Sequence, residues 1–170
     1  MRAPASPAGI EERAMTSRLQ TEIGQAKPFR TLEAETVLNI VRTADALLRD
    51  LDGLLKPHGL TSTQYNLLRI LRGAGEVGAT CSEIRERTVK EDPDITRLLD
   101  RMEKRGLIER SRGTKDRRLV STTITKQGLA MLKGLDAPVD ALHARELEGF
   151  SKQRLRELTA DMEQIRKRLA

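Results

Sequence analysis

Along residues 31–56 apolar side chains return at alternating steps of four and three. Val37, Val41, Ala44, Leu48, Leu51 and Leu55 have the spacing of one helix face. Leu38, Ile40, Leu47 and Leu54 widen that face well beyond one stripe, as in a helix that touches two bodies at once. Pro57 and Gly59 stop it. The next helix opens with Thr61 and Gln64 at capping-box spacing, with Leu60 and Tyr65 where a hydrophobic staple packs. It runs through Leu67, Leu68 and Leu71 and ends at Gly73 and Gly75. Thr80 and Glu83 form a second capping box, which opens a short helix ending near Thr88.

Asp92 as N-cap and Pro93 as first helical residue then start another helix. Its Ile95, Leu98, Leu99 and Met102 follow at i, i+3, i+4 and i+7, and Gly106 stops it. After Gly106 the period changes. Leu107–Ser111 and Leu119–Ile124 read as strands, joined by a polar turn over 112–118. Thr125 caps a helix covering Leu129 and Leu132, and Asp136–Pro138 breaks the pattern. Leu155, Leu158, Met162, Ile165 and Leu169 form a closing seam of about two heptads, too short to stand alone. Residues 17–27 predict a short helix ending before Pro28, and residues 1–16 a disordered tail.

Composition narrows the function classes. Of 170 residues 38% are hydrophobic, enough for one real core with appendages. No apolar run approaches the ~20 residues of a membrane span, so no membrane partner is expected. The first residues lack the apolar stretch of a secretory signal, and one cysteine makes no internal disulfide, so a cytoplasmic location is expected. With Tyr65, Phe29 and Phe150 as the aromatics, a stacking platform for single strands is not expected. His58, His143 and Cys81 fall in no cluster with metal-ligand spacing. Neither a nucleophile–base signature nor a glycine-rich phosphate loop is present. The expectation is therefore a non-enzyme with no cofactor and no metal. The formal charge is +6, and the stretch Arg110–Arg118 holds five basic residues and one acid, or +4 of that total.

The core pattern is helix, few-residue turn, helix, then a β-hairpin with a basic tip. The helix after the turn turns Ile95, Leu98, Leu99 and Met102 inward. Asp94, Arg97, Arg101 and Lys104 face outward, with Thr96 on the flank. A helix of this diameter fits a DNA major groove, with its N-terminal residues at base edges. Arg97 is placed to donate two hydrogen bonds to a guanine, and Thr96 to meet a thymine methyl or a phosphate. Asp94 and Asp100 oppose generic phosphate attraction, so the helix is no simple charge clamp. Asp94, Thr96, Arg97 and Arg101 form one half of the candidate DNA-contact set. Arg112, Lys115, Arg117 and Arg118 of the hairpin form the other, since an Arg on a thin loop can enter the negative potential of a narrow groove. Asp116 is read as positioning a neighbouring Arg.

The run Ile95-Thr96-Arg97-Leu98-Leu99-Asp100-Arg101-Met102-Glu103-Lys104-Arg105-Gly106-Leu107-Ile108-Glu109-Arg110, then Asp116-Arg117-Arg118 and Thr125-Lys126-Gln127-Gly128, resembles the MarR family of winged helix-turn-helix transcription regulators. Gly59-Leu60-Thr61-Ser62-Thr63-Gln64-Tyr65 resembles the start of that family's second helix. The resemblance covers roughly residues 35–170. It implies a mainly α fold with a small β-hairpin wing, a winged helix-turn-helix with N- and C-terminal dimerisation helices. It also implies a homodimer on double-stranded DNA with a pseudo-palindromic operator, repression, and release by a small organic effector. On this reading Val37, Val41, Leu158, Met162, Ile165 and Leu169 carry dimerisation. His58 and Tyr65 flank the helix junction where an effector pocket lies in the family, although capping and packing are the ordinary work of such residues.

The expected organisation is a flexible extension (1–30), a dimerisation helix (31–57), the DNA-binding domain (58–136) and C-terminal dimerisation helices (137–170). The sequence departs from the family in three places. The extension precedes the usual start, residues 89–94 are more acidic than usual, and Cys81 does not match the cysteine of peroxide-sensing members. A winged-helix module for protein contact, with no sequence-specific DNA binding, is the competing function. It predicts a neutral or apolar wing.

Overall fold

The computed structural model describes residues 17–89, 94–112 and 120–169. It is helical with one small sheet. The helices are α1 (Arg18–Glu22), α2 (Leu32–Leu55), α3 (Ser62–Ala74), α4 (Cys81–Arg87), α5 (Ile95–Lys104), α6 (Lys126–Glu146) and α7 (Lys152–Leu169). The strands are β1 (Ala79–Thr80), β2 (Ile108–Arg112) and β3 (Val120–Ile124). The chain divides into two compact units, one ending at Ala46 and the other running from Leu47.

In the first unit Ser17 caps α1 by accepting from the Gln20 amide. Glu22 receives hydrogen bonds from both Arg18 and Arg42, at 2.8 and 3.0 Å. That pairing holds its carboxyl below the usual carboxylate range, first through Arg18. The helix is shorter than the span 17–27 because Gly24 takes a left-handed φ of 65° directly after it.

In the second unit both capping boxes form. Thr61 Oγ1 accepts from the Gln64 amide while Gln64 Oε1 accepts from the Thr61 amide. Thr80 and Glu83 make the same reciprocal pair, and the bond from the Thr80 amide holds the Glu83 carboxyl below its ordinary range. Leu60 and Tyr65 are both buried, as a staple requires. α3 passes through Gly73 and ends at Gly75, whose positive φ suits glycine. The expected Asp92 cap lies outside the described residues, and the described α5 starts after Asp94. Gly106, at φ 69°, turns the chain from α5 into β2.

The core joins one face from each of several helices: Leu55 of α2, Leu67, Leu68 and Leu71 of α3, Ile84 of α4, and Ile95, Leu99 and Met102 of α5. Leu107 and Ile108 beside the sheet and Leu132 and Leu135 of α6 complete it. Each buried Leu or Ile contributes about 1.5–3 kcal/mol against exposure.

Two features were not anticipated. The first is β1, two residues that pair antiparallel with β3, Ala79 opposite Thr122 and Thr80 opposite Ser121, giving the order β1-β3-β2. Gly78 makes that approach possible: a Cβ there would stand 2.5 Å from both Ser121 Oγ and the Thr122 carbonyl. The second is a correction. Pro138 sits inside α6, which runs unbroken past Asp136–Pro138, so the expected boundary at 136/137 falls within one helix. Burial of Leu132, Leu135, Val139 and Leu142 on one face outweighs the lost amide hydrogen bond.

Candidate nucleic-acid interface

The DNA-contact candidates on α5 stand where its period puts them. Ile95, Leu98, Leu99 and Met102 are buried, whereas Asp94, Thr96, Arg97, Arg101 and Lys104 are exposed. The Arg97 side chain is 82% exposed and lies 3.2 Å from the Asp94 carboxylate. An exposed pair of this kind contributes little to stability, so it opens readily. The wing candidates Lys115, Asp116, Arg117 and Arg118 lie outside the described residues, as does the Arg112 side chain.

Arg110 does not belong with the exposed cations. From β2 it turns back onto α5. Its Nε and Nη2 donate to Glu103 Oε2 at 3.0 and 2.6 Å, and Nη2 also donates to Asp100 Oδ1 at 2.5 Å. The Arg110 amide adds a bond to Glu103 Oε1 at 3.2 Å. Arg110 holds the Glu103 carboxyl below the usual carboxylate range, chiefly by hydrogen bonding. The charge cluster read from the sequence therefore contains one cation already neutralised, and the Asp100 carboxylate on α5 has its own partner.

Two further side chains, one holding the turn after α4 and one the end of α5, were missed in the sequence. Asn66 Oδ1 of α3 accepts from the Val89 amide, in the turn after α4, at 3.1 Å. Arg105, at the end of α5, donates to the carbonyls of Gly59 and His58, at 2.5 and 3.2 Å. Side chains that bond distant backbone carry no local signal, and for this reason pattern reading passes over them. Gly128 also matters. A Cβ there would run into the Leu107 carbonyl and stand 2.8 Å from Ile124 Cγ1, so only glycine lets α6 start this close to the sheet.

The effector candidates separate. His58 is exposed in a 3-10 turn (Lys56–His58), whereas Tyr65 is buried. The Arg69 guanidinium lies 5.8 Å from the centre of the Tyr65 ring, and burial pushes the Tyr65 phenol up from its ordinary pKa. A cavity of about 320 Å³ is lined by Arg72, Glu76, Glu109, Thr123, Ile124 and Leu129, and neither His58 nor Tyr65 reaches it. At its rim Arg72 Nη1 contacts both Asp136 oxygens at 2.9 Å.

Of the dimerisation candidates, Val37, Val41, Leu158, Ile165 and Leu169 are exposed in the single chain, and Met162 is half-buried. Among the described residues no group of three or more His, Cys, Asp or Glu is placed to hold a metal. No described helix is long and apolar enough to cross a membrane.

Known proteins can now be set beside this geometry. A sequence model of the MarR family matches residues 60–120, the span from the start of α3 to the start of β3. The crystal structure of a MarR transcription factor from Planctomyces limnophilus is 37% identical, with a TM-score of 0.62, over 80% of this chain and 98% of that one. CouR from Rhodococcus jostii, solved with p-coumaroyl-CoA bound, is 25% identical with a TM-score of 0.69, over 81% of this chain and 95% of that one. The homoprotocatechuate degradative operon repressor of Escherichia coli is 24% identical over 74% of this chain and 84% of its own length.

Proposed function

The chain belongs to the MarR family of DNA-binding transcription regulators, and from that premise we propose that it represses transcription as a homodimer on a pseudo-palindromic operator. The observation that carries this reading is α5. It is a helix with a fully buried apolar face and an opposite face of exposed Thr96, Arg97, Arg101 and Lys104, its C-terminal end held by Arg105 on the Gly59 and His58 carbonyls. Arg97 reads a base edge, held in readiness by Asp94, and Thr96 and Arg101 add flanking contacts. Arg112, Lys115, Arg117 and Arg118 reach a narrow groove, with Asp116 aiming one of them.

In this proposal α2 and α7 join two copies through Val37, Val41, Leu158, Met162, Ile165 and Leu169, the exposed apolar residues of those helices among them. The segment from α3 through the hairpin carries the DNA-binding function, and the protein works in the cytoplasm. A small organic effector, of the kind CouR holds, would release DNA by favouring the state in which the two reading helices are wrongly spaced. His58 and Tyr65 are the residues assigned to it.

The test is selection of duplexes from a random pool by the full chain, followed by titration of Arg97→Ala. The expected result is an enriched two-fold symmetric motif, with Arg97→Ala losing about 1–3 kcal/mol on that motif and far less on bulk DNA. Equal losses on both, or no enriched motif, would favour the protein-contact module instead.

A further inference from the structure

We propose that Arg110 is a charge-masking positioning residue: it does not touch DNA, but cancels two carboxylates that α5 would otherwise present to phosphate. This rests on the DNA-binding reading above. The Arg110 side chain is only 25% exposed. Its guanidinium spans Asp100, on the outward half of α5 between Thr96 and Lys104 around the helix, and Glu103, three residues along on the flank facing β2. Without Arg110, α5 would keep two acids beside Thr96, Arg97, Arg101 and Lys104. With it, the cations of the reading face act alone. The same contact locks α5 to β2.

The consequence differs from that of an ordinary structural ion pair. Removing Arg110 should weaken DNA binding, and removing all three charges together should restore it. Two unpaired carboxylates within a Debye length of phosphates correspond to about a tenfold loss of affinity. The neutral trio keeps hydrogen-bonding groups at all three positions and carries no repulsion. Neutralising only the acids frees Arg110 as an extra cation, which should tighten binding to any sequence and steepen the salt dependence by about one phosphate contact.

The experiment titrates full-length protein against the pool-selected duplex and an unrelated duplex, by fluorescence anisotropy at several salt concentrations. The variants are Arg110→Gln, Arg110→Lys, the pair Asp100→Asn with Glu103→Gln, and the triple combination. Thermal melting is followed in parallel. Masking predicts about tenfold weaker binding for Arg110→Gln on both duplexes, near-native binding for Arg110→Lys, recovery to within about twofold in the triple variant, and a steeper salt slope for the acid pair. Masking is overturned if the triple variant stays as weak as Arg110→Gln while both melt as folded proteins. It is equally overturned if Arg110→Gln binds like the unaltered protein. Failure of the DNA-binding reading itself would show separately, as an unaltered protein that selects no duplex.

Discussion

Replacing Gly128 by Ala sets helix propensity against packing, with opposite predicted signs. Inside a helix, Gly→Ala is worth about 1 kcal/mol of added stability on propensity alone. At Gly128 the new methyl would meet the Leu107 carbonyl, which is backbone, and Ile124 Cγ1 at 2.8 Å. Both are held. Leu107 is fully buried, and its carbonyl already accepts from the Thr125 amide at 3.1 Å. The same corner is pinned by Thr125 Oγ1, which bonds the Gly106 carbonyl at 2.6 Å and caps the Gly128 amide at 3.1 Å. Relief would have to move α6 away from β2 and loosen this cap. Overpacking of this kind costs about 1–3 kcal/mol, and the cap about another 1 kcal/mol. Against the propensity gain, the net loss is on the order of 1–3 kcal/mol. Gly134, on the same helix, has nothing within 4 Å of its Cβ position, so Gly134→Ala should gain about 0.5–1 kcal/mol. Urea unfolding followed by circular dichroism, at one fixed protein concentration because any self-association would shift the midpoint, measures both. A Gly128→Ala protein as stable as Gly134→Ala would refute the argument that α6 is seated against the sheet through this glycine.

Three other outcomes follow from the same structure. Hydrogen bonds hold the carboxyls of Glu22, Glu83, Glu103 and Glu157 below the ordinary glutamate value in the fold. Their contribution to stability is therefore complete above that value and is lost as pH falls through it toward the lower folded values. Melting temperature should be insensitive to these groups above about pH 5.5 and fall below it, less steeply in Arg110→Gln, and a melt series across pH checks this. Thr80→Ala removes a hydroxyl that caps the Glu83 amide and a partner of the Glu83 carboxylate. It should cost about 1 kcal/mol in urea unfolding. Val41→Glu places a charge on an exposed apolar residue of α2, and should convert dimer to monomer in sedimentation velocity if α2 joins two copies.

Legibility in the sequence tracked how local each determinant is. Caps are written within four residues, and both capping boxes formed as spaced. The buried stripe of α5 and the two hairpin strands also have short-range signatures, so the split between the buried and exposed faces of α5 is legible in the sequence. Pro138 misled because a local rule against proline was outweighed by the burial of Leu132, Leu135, Val139 and Leu142. β1 was missed because two residues show no period; their strand character comes from pairing with β3. The role of Arg110 was hidden for a related reason. In sequence it is one of five cations between 110 and 118, and only the return of β2 beside α5 brings it to Asp100 and Glu103. Asn66 and Arg105 act on backbone groups 23 and 46 residues away, distances at which pattern reading has no purchase.

The most direct test of the central claim is the mass of the complex between the full chain and its pool-selected duplex, measured by sedimentation equilibrium. The account predicts two chains per duplex, on a motif whose half-site centres lie about one helical turn apart, ~34–36 Å. One chain per duplex on a single asymmetric half-site would contradict it.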